Sequence, residues 1–205
     1  QPSALWVAPL AQPQRAVRIT DGAGDPHADS LGVSWTADGR LLYGSVASGN
    51  VDVWLMNADG SGRRQLTPDP APDYKPSPAP DGRVVFASWR GGRSRIWDLD
   101  LESGEQHPLT RGRVDTYPQV SRDGRFLVYV SVGTDGRPLL WRANRDGGGA
   151  EPLDPRAASL PALLPLLPVL RLREREQRVE GMHHSWRNAE MRRRRLERGQ
   201  QLAGH

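Results

Sequence analysis

The chain has 205 residues, and its 28 basic and 24 acidic side chains give a formal net charge of +4, with no cysteine. The lack of cysteine excludes disulfides and thiolate metal sites. Residues 1–153 carry 17 basic and 18 acidic groups whereas residues 154–205 carry 11 and 6, so the excess positive charge belongs to the C-terminal segment and gives no reason to expect nucleic acid on the rest.

The first elements in chain order are two short apolar segments, Leu5-Trp6-Val7 and Arg18-Ile19-Thr20. Both match segments about 47 or 48 residues further on, Val53-Trp54-Leu55 and Gln65-Leu66-Thr67. The extra length falls at 21–29, a stretch rich in Gly and Asp that reads as a loop. Residues 1–20 are therefore predicted to form half of a unit that the chain then repeats.

That unit follows three times, at 33–67, 75–110 and 118–153. The triplet Asp-Gly-Arg recurs at 38–40, 81–83 and 123–125, and a tryptophan recurs at 54, 97 and 141. Each unit holds four short apolar segments divided by turn residues, a pattern typical of strands rather than helices. The predicted second and third strands of the three units are 41–46 and 51–57, 83–88 and 94–100, and 125–131 and 138–143, with an inner strand at 33–35 and an outer one at 64–67 in the first.

The second and third strands carry apolar residues on both faces, so each small sheet needs cover on both sides. Stacking of similar sheets provides that cover, and a period of about 40–45 residues with four strands is the sequence signature of a propeller. The predicted fold is all-β: a β-propeller fragment of about three and a half four-stranded blades, with a non-propeller C-terminal tail. The predicted divisions are a half blade at 1–20, blades at about 29–67, 72–110 and 115–153, and a tail at 154–205.

Three structural consequences follow from this repeat. Trp54, Trp97 and Trp141 should occupy equivalent positions, and the aromatic residues at the centre of the second strands should have low solvent exposure. A closed propeller of four to eight blades needs roughly 170 to 340 residues of repeat, so the chain is predicted to be a fragment. Its end faces should then expose apolar side chains, which predicts marginal stability or aggregation.

The units resemble the WD-like repeats of the TolB type. The matching features are a D-G turn before the second strand, a hydrophobic-Trp pair in the third strand, then D-G and L-T, and an aromatic centre in the second strand at Tyr43, Phe86 and Tyr129. Similar strings are typical of propellers at the C-terminal end of large bacterial receptor serine/threonine kinases. The resemblance implies a binding propeller, sensor or scaffold, in an extracytoplasmic or periplasmic location.

Motifs for catalysis or cofactor binding do not emerge from the sequence. The chain lacks the nucleophile motif G-x-S-x-G. Asp98, Asp100 and Glu102 alternate as in a calcium loop, but the sixth and twelfth positions are unsuitable, so we interpret them as solvated acids at a hairpin end. His183 and His184 are adjacent and cannot chelate from one helical face. The prediction is a non-enzyme with no catalytic residues, no cofactor and no metal site.

One loop is a candidate for binding a partner. Trp89, Arg90, Arg93 and Arg95 combine the residue types that are enriched at binding hot spots, and the partner would be a protein or a small ligand. The alternative for this loop is a solvated hairpin with no partner. The alternative for the protein is an accessory propeller of a larger enzyme, a receptor serine/threonine kinase or a prolyl-oligopeptidase-like peptidase, whose catalytic domain is outside this chain.

The segment 154–205 breaks the pattern where a fourth blade is due. Its leucine-rich part contains three prolines and is too short to span a membrane, so no membrane segment is predicted. The remainder alternates Arg and Glu, which predicts a disordered tail or an isolated helix. We interpret the abrupt change in composition as translation in a shifted frame or a truncated gene prediction, the alternative being a genuine basic tail. A separate hypothesis, from local charge alone, is that Arg192 to Arg195 bind nucleic acid.

Overall fold

A computed structural model of the protein describes residues 4–20 and 31–153. The chain divides into two compact units, Gln1–Leu153 and Asp154–His205, and all described residues belong to the first. The expectations for residues 154–205, including the shifted frame and the basic tail, therefore lie outside the described residues. So does the whole of the predicted loop at 21–29.

The described residues form one two-stranded sheet and three four-stranded sheets, all antiparallel. In each four-stranded sheet the strands follow one another in chain order, so each sheet is a meander. The two-stranded sheet pairs β1 (Trp6–Val7) with β2 (Val17–Arg18). The first four-stranded sheet contains β3 (Val33–Trp35), β4 (Leu41–Ser45), β5 (Asp52–Met56) and β6 (Arg64–Gln65); the second contains β7 (Asp73–Pro78), β8 (Arg83–Ser88), β9 (Arg95–Asp100) and β10 (Gln106–Pro108); the third contains β11 (Asp115–Val120), β12 (Phe126–Val132), β13 (Pro138–Asn144) and β14 (Glu151–Pro152).

The predicted all-β architecture is confirmed. The six predicted second and third strands are all present, with ends that differ from the predicted ones by at most one residue. The predicted equivalence of the tryptophans is confirmed by strand register, because Trp54 pairs with Tyr43, Trp97 with Phe86 and Trp141 with Tyr129. The three aromatic partners are buried, as predicted, with exposed fractions of 2%, 0% and 4%.

The hydrophobic core consists of three clusters, each between two consecutive sheets. The middle cluster joins Leu42, Val53 and Leu55 of the first four-stranded sheet to Val84, Phe86 and Leu99 of the second. Neighbouring residues along β4 and β8 enter different clusters, because side chains of a strand alternate between its two faces. Because both faces of the sheets are apolar, as predicted, each sheet packs against its neighbours, and the sheets form one continuous stack.

A threonine that follows an aliphatic residue near the end of the first three sheets has a structural role. The hydroxyl groups of Thr20, Thr67 and Thr110 accept hydrogen bonds from the backbone N–H groups of Leu5, Val53 and Ile96 at 2.9, 2.9 and 3.0 Å. In each of these three sheets the bond ties the outermost segment to the longer strand beside it, where the short outer strand leaves a backbone donor unpaired.

The recurring Asp-Gly pairs form turns that the aspartate side chain stabilises. Asp81 accepts from the backbone N–H of Arg83 at 3.1 Å, and Asp123 accepts from that of Arg125 at 3.2 Å. The following glycines have positive φ, 79° at Gly82 and 74° at Gly124, which residues with a side chain adopt at a cost. A hydrogen bond from Ser121, followed by bonds from Arg125, lowers the pKa of Asp123 to about 2.

Two glycines in the turns between third and fourth strands allow a matched test of sheet stacking. Gly104 and Gly147 both have positive φ, 77° and 83°. A Cβ at Gly147 would lie 2.2 Å from the carbonyl oxygen of Leu109 in the preceding sheet, whereas one at Gly104 would meet nothing within 4 Å. We expect Gly104→Ala to cost about 1 kcal/mol from backbone strain alone, and Gly147→Ala at least about 2 kcal/mol more, because the sheets must move apart. Urea denaturation of the two variants measures the difference, and equal losses would contradict the close approach.

Candidate functional site

The predicted partner-binding residues begin in the loop between β8 and β9. This loop contains a 3₁₀ turn, Arg90–Gly92, in which Gly91 has a φ of 71°. The backbone N–H of Trp89 donates to the carbonyl of Pro72 at 3.0 Å, and that of Asp115 donates to the carbonyl of Ser94 at 2.9 Å. The loop therefore lies beside the start of the inner strand of its own sheet and of the next sheet.

Trp89 is held in place by a chain of polar contacts. Its indole N–H donates to the hydroxyl of Tyr74 at 2.9 Å. The Tyr74 hydroxyl lies 3.2 Å from the Oγ of Ser94, which donates to the carbonyl of Asp115 at 2.7 Å. Trp89 and Tyr74 are both half-buried. The contacts fix an aromatic pair at the edge where two sheets meet.

Arg90, one of the four candidate residues, points into the protein, with a side chain only 14% exposed. Its guanidinium lies 2.7 Å from the carboxylate of Asp73 and donates to Oε1 of Gln106 at 2.7 Å. It also lies over the ring of Trp97, at 4.6 Å from the centroid. Asp73 is completely buried at the start of β7, and a buried carboxylate requires an opposite charge close by. Arg90 supplies that charge and has a structural role.

Arg93 and Arg95 differ from Arg90 in their surroundings. Arg93 is exposed, whereas Arg95 is half-buried. Within the described residues, the Nε atom of Arg95 is buried and has no hydrogen-bond partner. Of the four predicted residues, Trp89, Arg93 and part of Arg95 therefore remain accessible at the surface of the loop.

Asp73 is the most strongly perturbed carboxyl group beside this loop. Burial raises its pKa to about 6, although the Arg90 guanidinium and hydrogen bonds from the hydroxyls of Ser88 and Thr67 act in the opposite direction. The desolvation of the carboxylate thus outweighs its ion pair. The group titrates close to neutral pH.

This titration predicts a pH-dependent stability. The pKa of Asp73 is about 6 in the folded chain against an ordinary value of 3.8, so the folded chain retains a proton that the unfolded chain has released. Stability from this group should fall by about 3 kcal/mol as the pH rises from 4 to 7. Urea denaturation of the wild type and of Asp73→Asn, which stays neutral, should show the wild type lose about 3 kcal/mol relative to the variant over that range. Asp135→Asn, at an exposed site, is the control, and a difference independent of pH would contradict the assignment.

Each four-stranded unit has one position with positive φ in its inner strand or directly before it. Gly32, Lys75 and Tyr117 are 43 and 42 residues apart, and their φ angles are 95°, 57° and 53°. Lys75 and Tyr117 lie at the register shifts of β7 and β11, and the Lys75 ammonium lies 5.0 Å from the centroid of the Tyr117 ring. A left-handed backbone is costly for residues with a side chain and is concentrated at functional sites.

A shallow pocket of about 630 Å³ lies between the second and third four-stranded sheets. At its centre Asp98 is bound by two guanidinium groups, Nε of Arg83 at 2.5 Å and Nη2 of Arg145 at 2.7 Å. Arg83 also pairs with Asp100 at 2.8 Å. Three aspartates and three arginines line the pocket, so these groups leave no excess charge of either sign. Its lining comprises Asp81, Arg83, Asp98, His107, Leu109, Arg125, Phe126, Asn144, Arg145 and Asp146.

The interpretation of the acids at 98, 100 and 102 needs one correction. Asp98 is 3% exposed and lies in β9, so it is not a solvated acid at a hairpin end. Asp100 does lie at the turn, where it accepts from the backbone N–H groups of Glu102 and Ser103, both at 2.9 Å. In the part of the chain that the structure describes, no group of three or more His, Asp or Glu residues is arranged to hold a metal ion.

Residues 4–156 match the family model of the TolB beta propeller domain. The chain belongs to this family. Among curated TolB-type relatives, the Tol-Pal system protein TolB of Anaeromyxobacter dehalogenans is 42% identical over 66 residues, which cover 30% of this chain and 15% of that protein. The Protein TolB homolog of Chlorobium luteolum is 27% identical over 123 residues, 59% of this chain and 28% of that protein. The chain therefore spans less than a third of the length of either relative.

Solved structures show the same fold. TolB from Acinetobacter baumannii superposes with a TM-score of 0.64 at 21% identity, over 73% of this chain and 37% of that one. A puromycin-hydrolyzing peptidase of Mycobacterium tuberculosis superposes with a TM-score of 0.53 at 17% identity, over 67% of this chain and 23% of that one. At these identities the likeness concerns the fold alone.

Sequence reasoning missed Tyr74, Lys75 and Tyr117 of this TolB-type propeller. A signal was available, because Lys75 and Tyr117 both precede a proline and lie one repeat period apart. Their left-handed conformation depends on inter-sheet contacts that a local pattern does not contain. For the described ranges, the structure contains no helix with the length and apolarity needed to cross a membrane.

Proposed function

We propose that this chain is a non-catalytic, protein-binding part of a TolB-type propeller that acts outside the cytoplasm, in the periplasm. The observation that carries the proposal is the match of residues 4–156 to the TolB beta propeller domain. Relatives named as Tol-Pal system protein TolB support the location and the binding role. The proposal keeps the division into a half blade at 1–20, three blades ending at 153, and a separate segment at 154–205.

The proposed binding surface is the edge formed by Trp89, Arg93 and Arg95 beside Tyr74, Lys75 and Tyr117. The aromatic pair Trp89 and Tyr74 is pre-ordered by its hydrogen bond of 2.9 Å, so little side-chain entropy is lost when a partner covers it. Loops on a rigid scaffold commonly carry binding residues, and Trp, Tyr and Arg dominate hot spots. The basic side chains favour a partner segment that carries acidic groups.

Affinity capture with the full chain as bait tests this proposal. A partner from a periplasmic extract should bind the wild type, and the double variant Trp89→Ala, Arg93→Glu should weaken that binding by roughly 30-fold or more. The matched control is Arg137→Glu, in the corresponding exposed loop of the third sheet. Thermal melting of each variant establishes that the fold is retained.

Two results would contradict the proposal. One is a partner that binds the Trp89 and Arg93 double variant as tightly as the wild type. The other is measurable turnover of a substrate by the chain with no protein partner, which would indicate catalysis.

The second candidate function is an accessory propeller of a larger enzyme. Its support is the shared fold with a peptidase propeller. Reading the coding sequence around this chain distinguishes the candidates: kinase motifs upstream favour a receptor kinase, and a G-x-S-x-G motif downstream favours a peptidase. The absence of both motif sets would favour a binding propeller.

A further inference from the structure

Arg90 anchors the loop between β8 and β9 to the buried carboxylate of Asp73. Its Nη2 donates to Asp73 at 2.7 Å, and its Nε lies 3.5 Å from the carboxylate of Asp69. The side chain of Asp73 is completely buried, whereas that of Asp69 is 36% exposed. The guanidinium therefore lies between an inner carboxylate and an outer one.

The polar groups around this ion pair carry an excess of negative charge. They come from each element packed on the pair, namely Asp52 of β5, Thr67 and Asp69 after β6, Ser88 of β8 and Gln106 of β10. Asp52 is 1% exposed, and its pKa is raised by burial and by the charge of Asp69. Three carboxylates thus lie around the guanidinium of Arg90, and such an excess in a buried place favours the uptake of a proton. Since the pKa of Asp73 is about 6, this carboxyl takes up a proton just below neutral pH.

The turn that Arg90 anchors contains two glycines, which give its backbone freedom. Gly91 and Gly92 have φ angles of 71° and 75°, and a Cβ at either position would meet nothing within 4 Å. Arg93 follows them and is exposed. The position of Arg93 therefore depends on the contacts of Arg90 more than on packing of the turn itself.

The third four-stranded sheet repeats the buried acid without the arginine. Asp115 begins its inner strand as Asp73 begins that of the second sheet, and both are buried. At the place of Arg90 in the following loop the third sheet has Gly133, which has no side chain to pair with the acid. The anchor therefore belongs to the loop of the second sheet, and the loop of the third sheet is a built-in control.

We propose that Asp73 and Arg90 form a pH switch that holds the turn Arg90–Gly92, and with it the exposed Arg93, in place at neutral pH and releases it in mildly acidic conditions. The inference rests on the proposed function, because this loop is the proposed binding surface, and it adds how binding is regulated. Protonation of Asp73 removes the ion pair and leaves Asp69 as the nearest charged partner of Arg90, so the guanidinium moves outward and the turn loosens.

The same proton stabilises the fold while it releases the loop. A neutral carboxyl costs less to bury than a carboxylate, so the folded chain as a whole is favoured when Asp73 is protonated. The anchoring of Arg90 is a separate, local contact, and it depends on the charged form.

Spin labelling of a single introduced cysteine tests the switch without any partner. The chain contains no cysteine, so Arg93→Cys provides one labelling site on the turn, and Arg137→Cys provides a control site in the corresponding loop of the third sheet. Electron paramagnetic resonance should show the label at position 93 become more mobile as the pH falls from 7 to 5, with a midpoint near 6. The label at position 137 should not change. A label at position 93 with the same mobility over this range would overturn the proposal.

Three further variants attribute the transition to the ion pair. Asp73→Asn and Arg90→Gln each remove it, so the label should be mobile at pH 7 and insensitive to pH. His107→Gln is the control for histidine titration in this range, and it should keep the transition because His107 lies beside Asp98, at 3.7 Å. A transition that persists in Asp73→Asn, or that disappears in His107→Gln, would overturn the assignment. Circular dichroism at each pH checks that the fold is retained.

Capture from the periplasmic extract at two pH values tests the consequence for binding. If the anchored loop is the form that binds, affinity should fall roughly tenfold from pH 7 to pH 5, since about one tenth of the chains remain anchored at the lower value. Asp73→Asn should bind at the weaker level at both values. A partner that binds the wild type equally at both values would overturn the regulatory role. Failure to capture any partner would contradict the proposed function alone, because the spin label measures the switch directly.

Discussion

Phe86→Ala is expected to lower the free energy of unfolding by about 3–5 kcal/mol, the usual loss for a fully buried phenylalanine. Phe86 has no solvent exposure and lies in the cluster that joins the first and second four-stranded sheets. The ring also lies 5.5 Å from the Arg90 guanidinium, so its removal also loosens the cover over the Asp73 ion pair. Because the sheets are held mainly by these clusters, a cavity here weakens the stack as a whole.

Urea denaturation measures this loss. Leu139→Ala is the control, because Leu139 is 42% exposed and its truncation should change stability by less than about 0.5 kcal/mol. A loss below about 1 kcal/mol for Phe86→Ala would mean that the neighbouring side chains close the cavity, and would contradict a tightly packed junction.

Asp98→Ala should be comparably destabilising, by about 3–5 kcal/mol, for an electrostatic reason. The Asp98 carboxylate, 3% exposed, is shared by Arg83 of its own sheet and Arg145 of the next, with contacts of 2.5 and 2.7 Å. Removing it leaves two guanidinium groups close together without their shared counter-charge. The variant therefore tests whether this ion cluster joins the second and third sheets.

A double-mutant cycle separates that contribution from simple loss of packing. Asp98→Ala, Arg145→Met and the double variant should show a coupling energy of at least about 1 kcal/mol, as expected for residues in one salt-bridge network. Asp135→Ala, whose carboxylate lies 4.0 Å from Arg137 at an exposed site, should have little effect. Additive losses at Asp98 and Arg145 would show that the cluster does not connect the sheets.

The accuracy of the sequence predictions followed the range of the interactions involved. The second and third strands were located to within one residue because alternation and Asp-Gly turns are local properties of the chain. The burial of Tyr43, Phe86 and Tyr129 was also predictable, since a strand with two apolar faces must be covered on both.

The candidate site was only partly predictable. The sequence identified the loop that begins at Trp89, because Trp and Arg lie together between two strands. It did not reveal that Arg90 turns inward to a completely buried Asp73, nor that Trp89 is fixed by Tyr74. Both contacts join residues 15 to 17 positions apart, so they depend on how the strands are placed in the sheet.

By itself, then, the sequence determined the sheet unit, its three full copies, the turns and the aromatic core, since all of these follow from patterns within about 43 residues. Only the tertiary structure decided what happens between the sheets: the shared carboxylate of Asp98, the left-handed backbone of Lys75 and Tyr117, and the close approach at Gly147. The physical reason is that these features join residues about one repeat apart, and their geometry is set by how one sheet lies on the next. A repeat shows that sheets stack, but the side chains that meet across the junction are decided by the stacking itself.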